Sequence, residues 1–161
     1  MIDLKTMRAN VSKGLSDYLA IKVIRGNQTA RAPTMPYGMY NITTIAGANG
    51  GTWQQHTDGI DRKMVRSIWS FSFLSADYDE SVELASKARS WFEHAGRVWL
   101  ADRGIVVQST TEITNRDNIL TVEYERKNGF DVVFYVYDAV ENPVENVGHI
   151  EESQTTHEIV K

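Results

Sequence analysis

The chain has 161 residues, of which 42% are hydrophobic and 24% are charged, and it contains no cysteine. This composition is typical of one globular domain, and it excludes a chain that is disordered throughout, a disulfide framework and any site built on thiolates. The 17 basic and 21 acidic residues give a net charge of −4, which argues against a general nucleic-acid binder.

The first half of the chain predicts one helix and three strands. Apolar residues recur at three- and four-residue steps over 3–19, which predicts a helix with Asp3 as its N-cap. A short strand is expected over 21–24, and a longer one over 37–46 after a proline-rich lead-in. Residues 64–74 alternate between apolar and polar side chains, which predicts a third strand.

The segment 47–62 lies between two predicted strands and contains four glycines. So long a stretch without regular structure is uncommon in a compact domain and usually serves binding. Alternatively, it forms an extended hairpin that reaches beyond the body of the domain. Either way, Trp53 and Ile60, with Arg62 and Arg66 close by in the sequence, are the candidate assembly contacts.

A second helix is predicted from Asp77 to about Arg103. Asp77 and Glu80 have the spacing of a capping box, and Gly104 is a natural left-handed stop. One stripe of this helix is expected to face the core: Val82, Ala85, Ala88, Phe92, Ala95 and Trp99.

Three strands are then predicted, over 105–113, 119–126 and 130–137. The last is apolar on both faces, as expected of a central strand. Because Asn128-Gly129 is a strong signal for a tight turn, we expect these strands to form an antiparallel meander.

The element order α-β-β-β-α-β-β-β predicts an α+β fold, with an antiparallel-rich mixed sheet packed by two helices. We expect residues 1–138 to form the single domain. No aromatic residue follows position 139, and residues 138–161 contain six acidic residues and one basic residue, Lys161. We therefore expect 139–161 to be an acidic C-terminal arm that is flexible unless a partner holds it.

Most motifs that could carry chemistry are weak. Residues 49–52 are glycine-rich but lack the lysine of a phosphate-binding loop. His56, Asp58 and Asp61 are too few for a closed metal site. The acidic residues of 77–83 lie at a helix start, where capping explains them. The longest apolar run has six residues, and no signal peptide is recognisable, so neither a membrane span nor secretion is expected.

One alternative function has a possible site. Glu123, Glu125 and Lys127 share a face of a predicted strand, and Asp117 lies upstream. Carboxylates and a lysine that converge in this way can hold Mg²⁺ and activate water, as in metal-dependent nucleases. However, Lys127 adjoins the predicted turn, where charged surface residues are common. In the nuclease fold the motif lies on strands that precede the crossover helix, whereas here it follows the long predicted helix. A nuclease using Glu125 and Lys127 is the alternative to an assembly protein.

The chain also resembles a known family in the order and spacing of several stretches. These are Pro36–Thr43, Ser70–Asp77 with Leu84-Ala85 and Trp91-Phe92, Gly104–Val107, and Asn115–Asp117 with Tyr124–Val132. In them the sequence resembles the phage neck or tail-terminator proteins, which are small ring-forming structural proteins of tailed bacteriophages. The resemblance covers about residues 30–137, whereas 47–62 and 139–161 are not matched.

The resemblance implies a non-enzymatic virion protein with no catalytic residue, cofactor or metal. It implies a homo-oligomeric ring, expected to be a hexamer, at the head-proximal end of the tail, assembled in the host cytoplasm. Such a ring stops tail-tube polymerisation and joins the tail to the head connector. The implied partners are further copies of the chain, the tail-tube protein, the head–tail connector or adaptor and the sheath. Genomic DNA would pass through the channel without specific binding.

The residues and the resemblance together give one hypothesis on contacts. In a closed ring, one surface of each subunit meets a different surface of the next. Trp53, Ile60, Arg62 and Arg66 are expected to contribute to subunit or tube contacts, and the acidic arm is expected to lie on a neighbour.

Overall fold

The structure is a computed structural model, and it describes residues 1–27, 29–47, 52–54, 59–117 and 125–141. These residues form α1 (Leu4–Leu19), β1 (Val23–Arg25), β2 (Tyr37–Gly47), β3 (Ile60–Ser75), α2 (Tyr78–Glu93), α3 (Ala95–Ala101), β4 (Val106–Thr110), β5 (Thr114–Asn115) and β6 (Arg126–Glu141). The predicted α+β fold is confirmed, with three helices in the described residues where the sequence predicts two.

The strands form one mixed sheet in the order β1-β2-β3-β6-β4, and β5 also pairs with β6. Only β1 and β2 run parallel among the described pairs, so the predicted antiparallel-rich mixed sheet is confirmed. The two central strands, β3 and β6, pair along their whole length, from Ile60 opposite Glu141 to Ser75 opposite Arg126.

The predicted meander of the last three strands is wrong. β4 pairs directly with β6, from Val106 opposite Tyr135 to Thr110 opposite Val132, so no strand lies between them. Residues 118–124, which include most of the predicted middle strand, lie outside the described residues.

The predicted turn at Asn128-Gly129 is also wrong, because both residues lie inside β6. Asn128 is buried, and both its backbone and its side-chain nitrogen donate to the Ser81 hydroxyl of α2 at 3.1 Å. A Cβ at position 129 would lie 2.1 Å from the carbonyl oxygen of Phe71 on β3. Glycine is therefore required here by the close approach of two strands, not by a turn.

One face of the sheet carries an aromatic core, and all three helices pack on this face. Phe71 of β3 and Phe92 of α2 have ring centroids 4.9 Å apart, and Phe92 also contacts Phe130 and Phe134 of β6. Burial of each large apolar side chain stabilises the fold by about 1.5–3 kcal/mol. The fully buried aromatic residues are Trp69, Phe71, Phe73, Phe92, Phe130 and Phe134.

Helix α1 agrees with its prediction. Asp3 is the N-cap, and its carboxylate accepts a hydrogen bond from the backbone N–H of Thr6 at 3.0 Å. The predicted apolar face is buried at Met7, Val11 and Leu15. Glycine at position 14 has a packing reason, because a Cβ there would lie 2.8 Å from the ring of Trp99 and 2.9 Å from that of Trp91.

The predicted single helix over Asp77–Arg103 is wrong, because it breaks at His94 into α2 and α3. The break brings Gly96 against the indole ring of Trp91, where a Cβ would lie 2.3 Å from the nearest ring atom. The predicted stripe changes as a result: Ala95 is exposed, whereas Gly96 and Leu100 are buried. Gly104 has the predicted left-handed conformation, with a φ of +73°, but α3 already ends at Ala101 and Asp102 is its C-cap.

The central strands extend beyond their neighbours. The last pairs with β2 and β4 are Gly47 with Arg66 and Val106 with Tyr135. Beyond them, 60–65 of β3 and 136–141 of β6 continue as a two-stranded ribbon. The first three residues of the predicted arm, 139–141, therefore belong to β6. The remainder, 142–161, lies outside the described residues, and the arm stays a prediction.

Candidate assembly surface

The ribbon has one face that continues the sheet face opposite the helices. Side chains alternate along a strand, and residues directly opposite on neighbouring strands share a face. We call the following set, which includes the Arg66–Tyr135 pair at the base of the ribbon, the ribbon face: Ile60, Arg62, Met64 and Arg66 of β3, with Glu141, Ala139, Tyr137 and Tyr135 opposite them on β6.

Three of the four predicted contact residues, Ile60, Arg62 and Arg66, lie on the ribbon face. Arg66 is exposed, and the Nη1 of Arg62 donates to the carbonyl oxygen of Ile60 at 3.4 Å. Arg62 and Arg66 are four residues apart on β3, which is roughly 13 Å along the strand, and Met64 lies between them. The structure thus places the two arginines on one face of the strand.

Trp53 lies beside this ribbon. Its neighbour Gln54 pairs with Arg62, the two backbone N–H···O distances being 2.8 and 3.0 Å. Trp53 is 43% exposed, which is high for so large an apolar side chain. β2 runs to Gly47 and Gln54 pairs with β3, but 48–51 and 55–58 lie outside the described residues, so both interpretations of 47–62 stay predictions.

Sequence reasoning missed the aromatic part of the ribbon face. Tyr137 is 54% exposed and Tyr135 is half-buried, although the sequence predicts 130–137 to be a central strand that is apolar on both faces. The signal was present in the sequence, because Tyr135 and Tyr137 occupy one alternation class while Phe134 and Val136 occupy the other. The sequence does not show how far β6 extends beyond its last pair with β4.

Arg116 forms the main polar network on the same side of the sheet. Its Nη1 donates to the Ser70 hydroxyl at 2.6 Å and to the Phe71 carbonyl at 3.1 Å, and its Nη2 lies 2.9 Å from the Asp131 carboxylate. Its Nε donates to Thr114 at 3.3 Å. The guanidinium charge is therefore matched by Asp131, and the network joins β5 to the centre of the sheet.

Of the nuclease candidates, the described residues are Asp117, Glu125 and Lys127. Asp117 accepts a hydrogen bond from the backbone N–H of Lys127 at 2.5 Å and forms an ion pair with Arg126 at 3.3 Å. The Lys127 bond is the main reason that the pKa of Asp117 is lowered. Glu125 is half-buried just before β6, and Glu123 lies outside the described residues. Asp117 is thus engaged in local structure instead of being open to a metal ion.

The other candidate motifs have local roles or lie outside the described residues. Asp77 caps α2, as its spacing with Glu80 indicates, by accepting from the N–H of Asp79, while Glu80 accepts from the Ser75 hydroxyl. The segments 49–51 and 56–58 lie outside the described residues. Where the chain is described, no three acidic or histidine side chains cluster in a way that could hold a metal.

No helix of the described residues is long and apolar enough to cross a membrane. A search among curated proteins finds no significant match. One protein-family model matches the chain over residues 9–159, and it is described as phage neck terminator protein. The match spans 47–62 and almost all of 139–161, the two segments that the resemblance in the sequence did not cover.

Proposed function

Because the chain belongs to the phage neck terminator family, a family with a structural role in the tail and neck of the virion, we propose that it acts as a ring. Copies of the chain form a homo-oligomer, expected to be a hexamer, at the head-proximal end of the tail. The ring terminates tail-tube polymerisation and joins the tail to the head connector, without catalysis and without a cofactor.

The observation that supports this proposal most directly is the projecting ribbon. A closed ring needs two different surfaces on each subunit that fit each other. The ribbon face, with its exposed arginine and tyrosine side chains, is a candidate for one of these two surfaces. Tyrosine and arginine are enriched at protein interfaces.

The same surface accounts for the proposed contacts. Trp53, Ile60, Arg62 and Arg66 lie on or beside the ribbon and contribute to contacts with neighbouring copies or with the tail-tube protein. The head–tail connector and, where a sheath is present, the sheath are the further partners. The near-neutral charge of residues 1–137 suits a channel through which DNA passes without being held.

The mass of the assembly that the purified chain forms tests the proposal. Light scattering should give one closed oligomer, negative-stain images should show a ring with a channel, and the ring should limit the length of tubes grown from tail-tube protein. A chain that stays monomeric and leaves tube length unchanged contradicts the proposal.

Trp53→Ala should raise the concentration needed for half-assembly roughly ten-fold, whereas Val98→Ala should leave this concentration unchanged. Val98 is the matched control because its exposed apolar side chain lies on α3, on the helical side of the sheet.

In parallel, incubation with DNA and Mg²⁺ should give no cleavage; cleavage that Glu125→Ala abolishes would favour the nuclease alternative.

A further inference from the structure

The outer edge of β6, on the side of β4, is open where the ribbon projects. The N–H of Thr111, beside β4, donates to the Asp131 carbonyl oxygen at 2.9 Å, so the backbone groups of Asp131 point towards β4. β6 pairs with β3 without a register shift, and alternate residues of an unbroken strand point to the same side. Tyr137, Ala139 and Glu141 therefore point outward too, and no strand of the described chain pairs with them on that side.

One contact at this edge shows which chemistry it accepts. The amine of Met1 donates to the Ala139 carbonyl oxygen, and it lies 3.2 Å from the Asp138 carboxylate. Met1 is 94% exposed, so the contact is made at the surface. The edge thus receives an N–H donor that carries a positive charge, and Glu141 adds to its acidic character.

A complementary edge lies at the other end of the sheet, on β1. The N–H of Gly26 donates to the Tyr40 carbonyl oxygen at 2.7 Å, so Gly26 faces β2. By alternation, Val23 and Arg25 face outward. The Val23 N–H donates to the Ser16 hydroxyl at 3.1 Å, whereas the described chain pairs no backbone group with the Val23 carbonyl or with Arg25. This edge therefore offers an N–H donor on a basic residue.

Strand direction makes the two edges compatible in a ring. β1 runs parallel to β2, and both β2 and β6 run antiparallel to β3, so β1 and β6 share one direction. A ring whose axis follows the strands repeats every copy with the same strand direction and the same face inward. A sheet that continues from β6 of one copy to β1 of the next therefore joins them as parallel strands.

We propose that β1 of one copy adds to the outer edge of β6 in the next copy, with Ile24 opposite Ala139. In this parallel register the Ala139 N–H donates to the Val23 carbonyl oxygen, and the Ala139 carbonyl accepts from the Arg25 N–H in place of the Met1 amine. The inference rests on the proposed ring and names the backbone contact that closes it. Two different edges of each subunit meet, which is the head-to-tail arrangement of a ring.

Faces, charge and space agree with this register. Arg25 lies opposite buried Tyr40 and is thus on the helical side of the sheet, where Asp138 also lies. Across the proposed pair these two residues are diagonal neighbours, within reach of a long side chain. Ala139 is four residues beyond Tyr135, the last partner of β4, which leaves roughly 13 Å of edge for a strand of three residues.

A proline at position 139 tests the backbone contact in the full-length chain. Ala139→Pro removes an N–H that points away from β3, so the ladder of β3 with β6 is kept. The concentration needed for half-assembly should rise about ten-fold, whereas Ala139→Val, which keeps the N–H, should leave it unchanged. Urea unfolding checks that both variants are folded. A folded Ala139→Pro chain that assembles like the wild type contradicts the proposal.

Charge reversal tests the pairing of Arg25 with Asp138. Arg25→Glu and Asp138→Arg should each raise the half-assembly concentration about ten-fold, because like charges then meet, whereas Arg97→Glu on α3 should not. An equimolar mixture of the two reversed chains should assemble, because chains that alternate around a hexamer place unlike charges at every interface. A mixture as defective as either chain alone contradicts the pairing.

Cross-linking locates the contact without depending on charge. The chain has no cysteine, so Ile24→Cys with Ala139→Cys introduces the only thiols. Opposite residues of paired strands lie roughly 5 Å apart, which a disulfide can bridge. Mild oxidation should therefore give a ladder of covalent oligomers, whereas Val98→Cys with Ala139→Cys should not. A wild type that assembles, with no ladder and with normal assembly of Ala139→Pro, overturns this inference alone; a wild type that never assembles overturns the proposed function as well.

Discussion

The two halves of the β3–β6 pair share one backbone hydrogen-bond ladder but differ in the burial of their side chains. In one half, Trp69, Phe71 and Phe130 are fully buried under the helices. In the other, Tyr137 is exposed on a ribbon that no neighbouring strand of the described chain flanks on its β6 side. The comparison shows that pairing along a strand is uniform while burial is not. We therefore expect stability to depend on the first half and assembly on the second.

The largest expected effect compares one residue from each half. Phe71→Ala leaves a cavity in the aromatic core and should lower the free energy of unfolding by about 3–5 kcal/mol. Tyr137→Ala removes an exposed ring and should cost less than about 1 kcal/mol, but it should weaken assembly. Urea unfolding of both variants, with light scattering, measures the two quantities. Similar losses of stability would show that the division between the halves is false.

A smaller effect tests whether the sheet face opposite the helices contributes to stability. Arg116→Lys keeps the charge, but an ammonium cannot reach Ser70, the Phe71 carbonyl and Asp131 at the same time as the guanidinium fork does. The free energy of unfolding should fall by about 1 kcal/mol, since the partly exposed pair is screened by water. Arg97→Lys on α3 should have no measurable effect in the same urea titration. An equal loss in both variants would contradict the role of the fork.

The smallest expected effect depends on pH. The backbone N–H of Lys127 stabilises the charged form of Asp117, so the pKa of this carboxyl is lower in the folded chain than its ordinary value of 3.8. The resulting stabilisation is present above about pH 4 and is lost as the pH falls through the lowered pKa. Asp117→Asn should therefore reduce stability at pH 7 by less than about 1 kcal/mol and flatten its decline in acid.

Thermal unfolding at pH 7 and at pH 3 measures this difference. Asp102→Asn, which removes an exposed carboxylate after α3, serves as the control. A steeper acid decline in the Asp117 variant would contradict the assigned sign.

Local signals predicted the elements whose ends are set by nearby residues. The Asp3 cap, the buried stripe of α1 and the start of α2 at Asp77 depend on contacts within one or two turns, and all agree with the structure. The strand over 37–46 and the central position of 130–137 followed from β-branched and apolar content.

The features that sequence reasoning missed depend on distant contacts. Asn128-Gly129 has the composition of a turn, but its contacts are Ser81 and Phe71, far away in sequence. The break at His94 reflects the packing of Gly96 on Trp91, which a continuous apolar periodicity hides. The ribbon face was predicted only in part, because its extent depends on where β2 and β4 stop pairing.

The ribbon also has a mechanical consequence. Backbone hydrogen bonds lie perpendicular to antiparallel strands, so a pull along β6 loads the whole ladder with β3 in shear. A pull that separates Ile60 from Glu141 at the tip instead opens the ladder one pair at a time. A subunit gripped by its ribbon should therefore resist axial tension and yield to peeling, so the direction of force would decide when such an assembly comes apart.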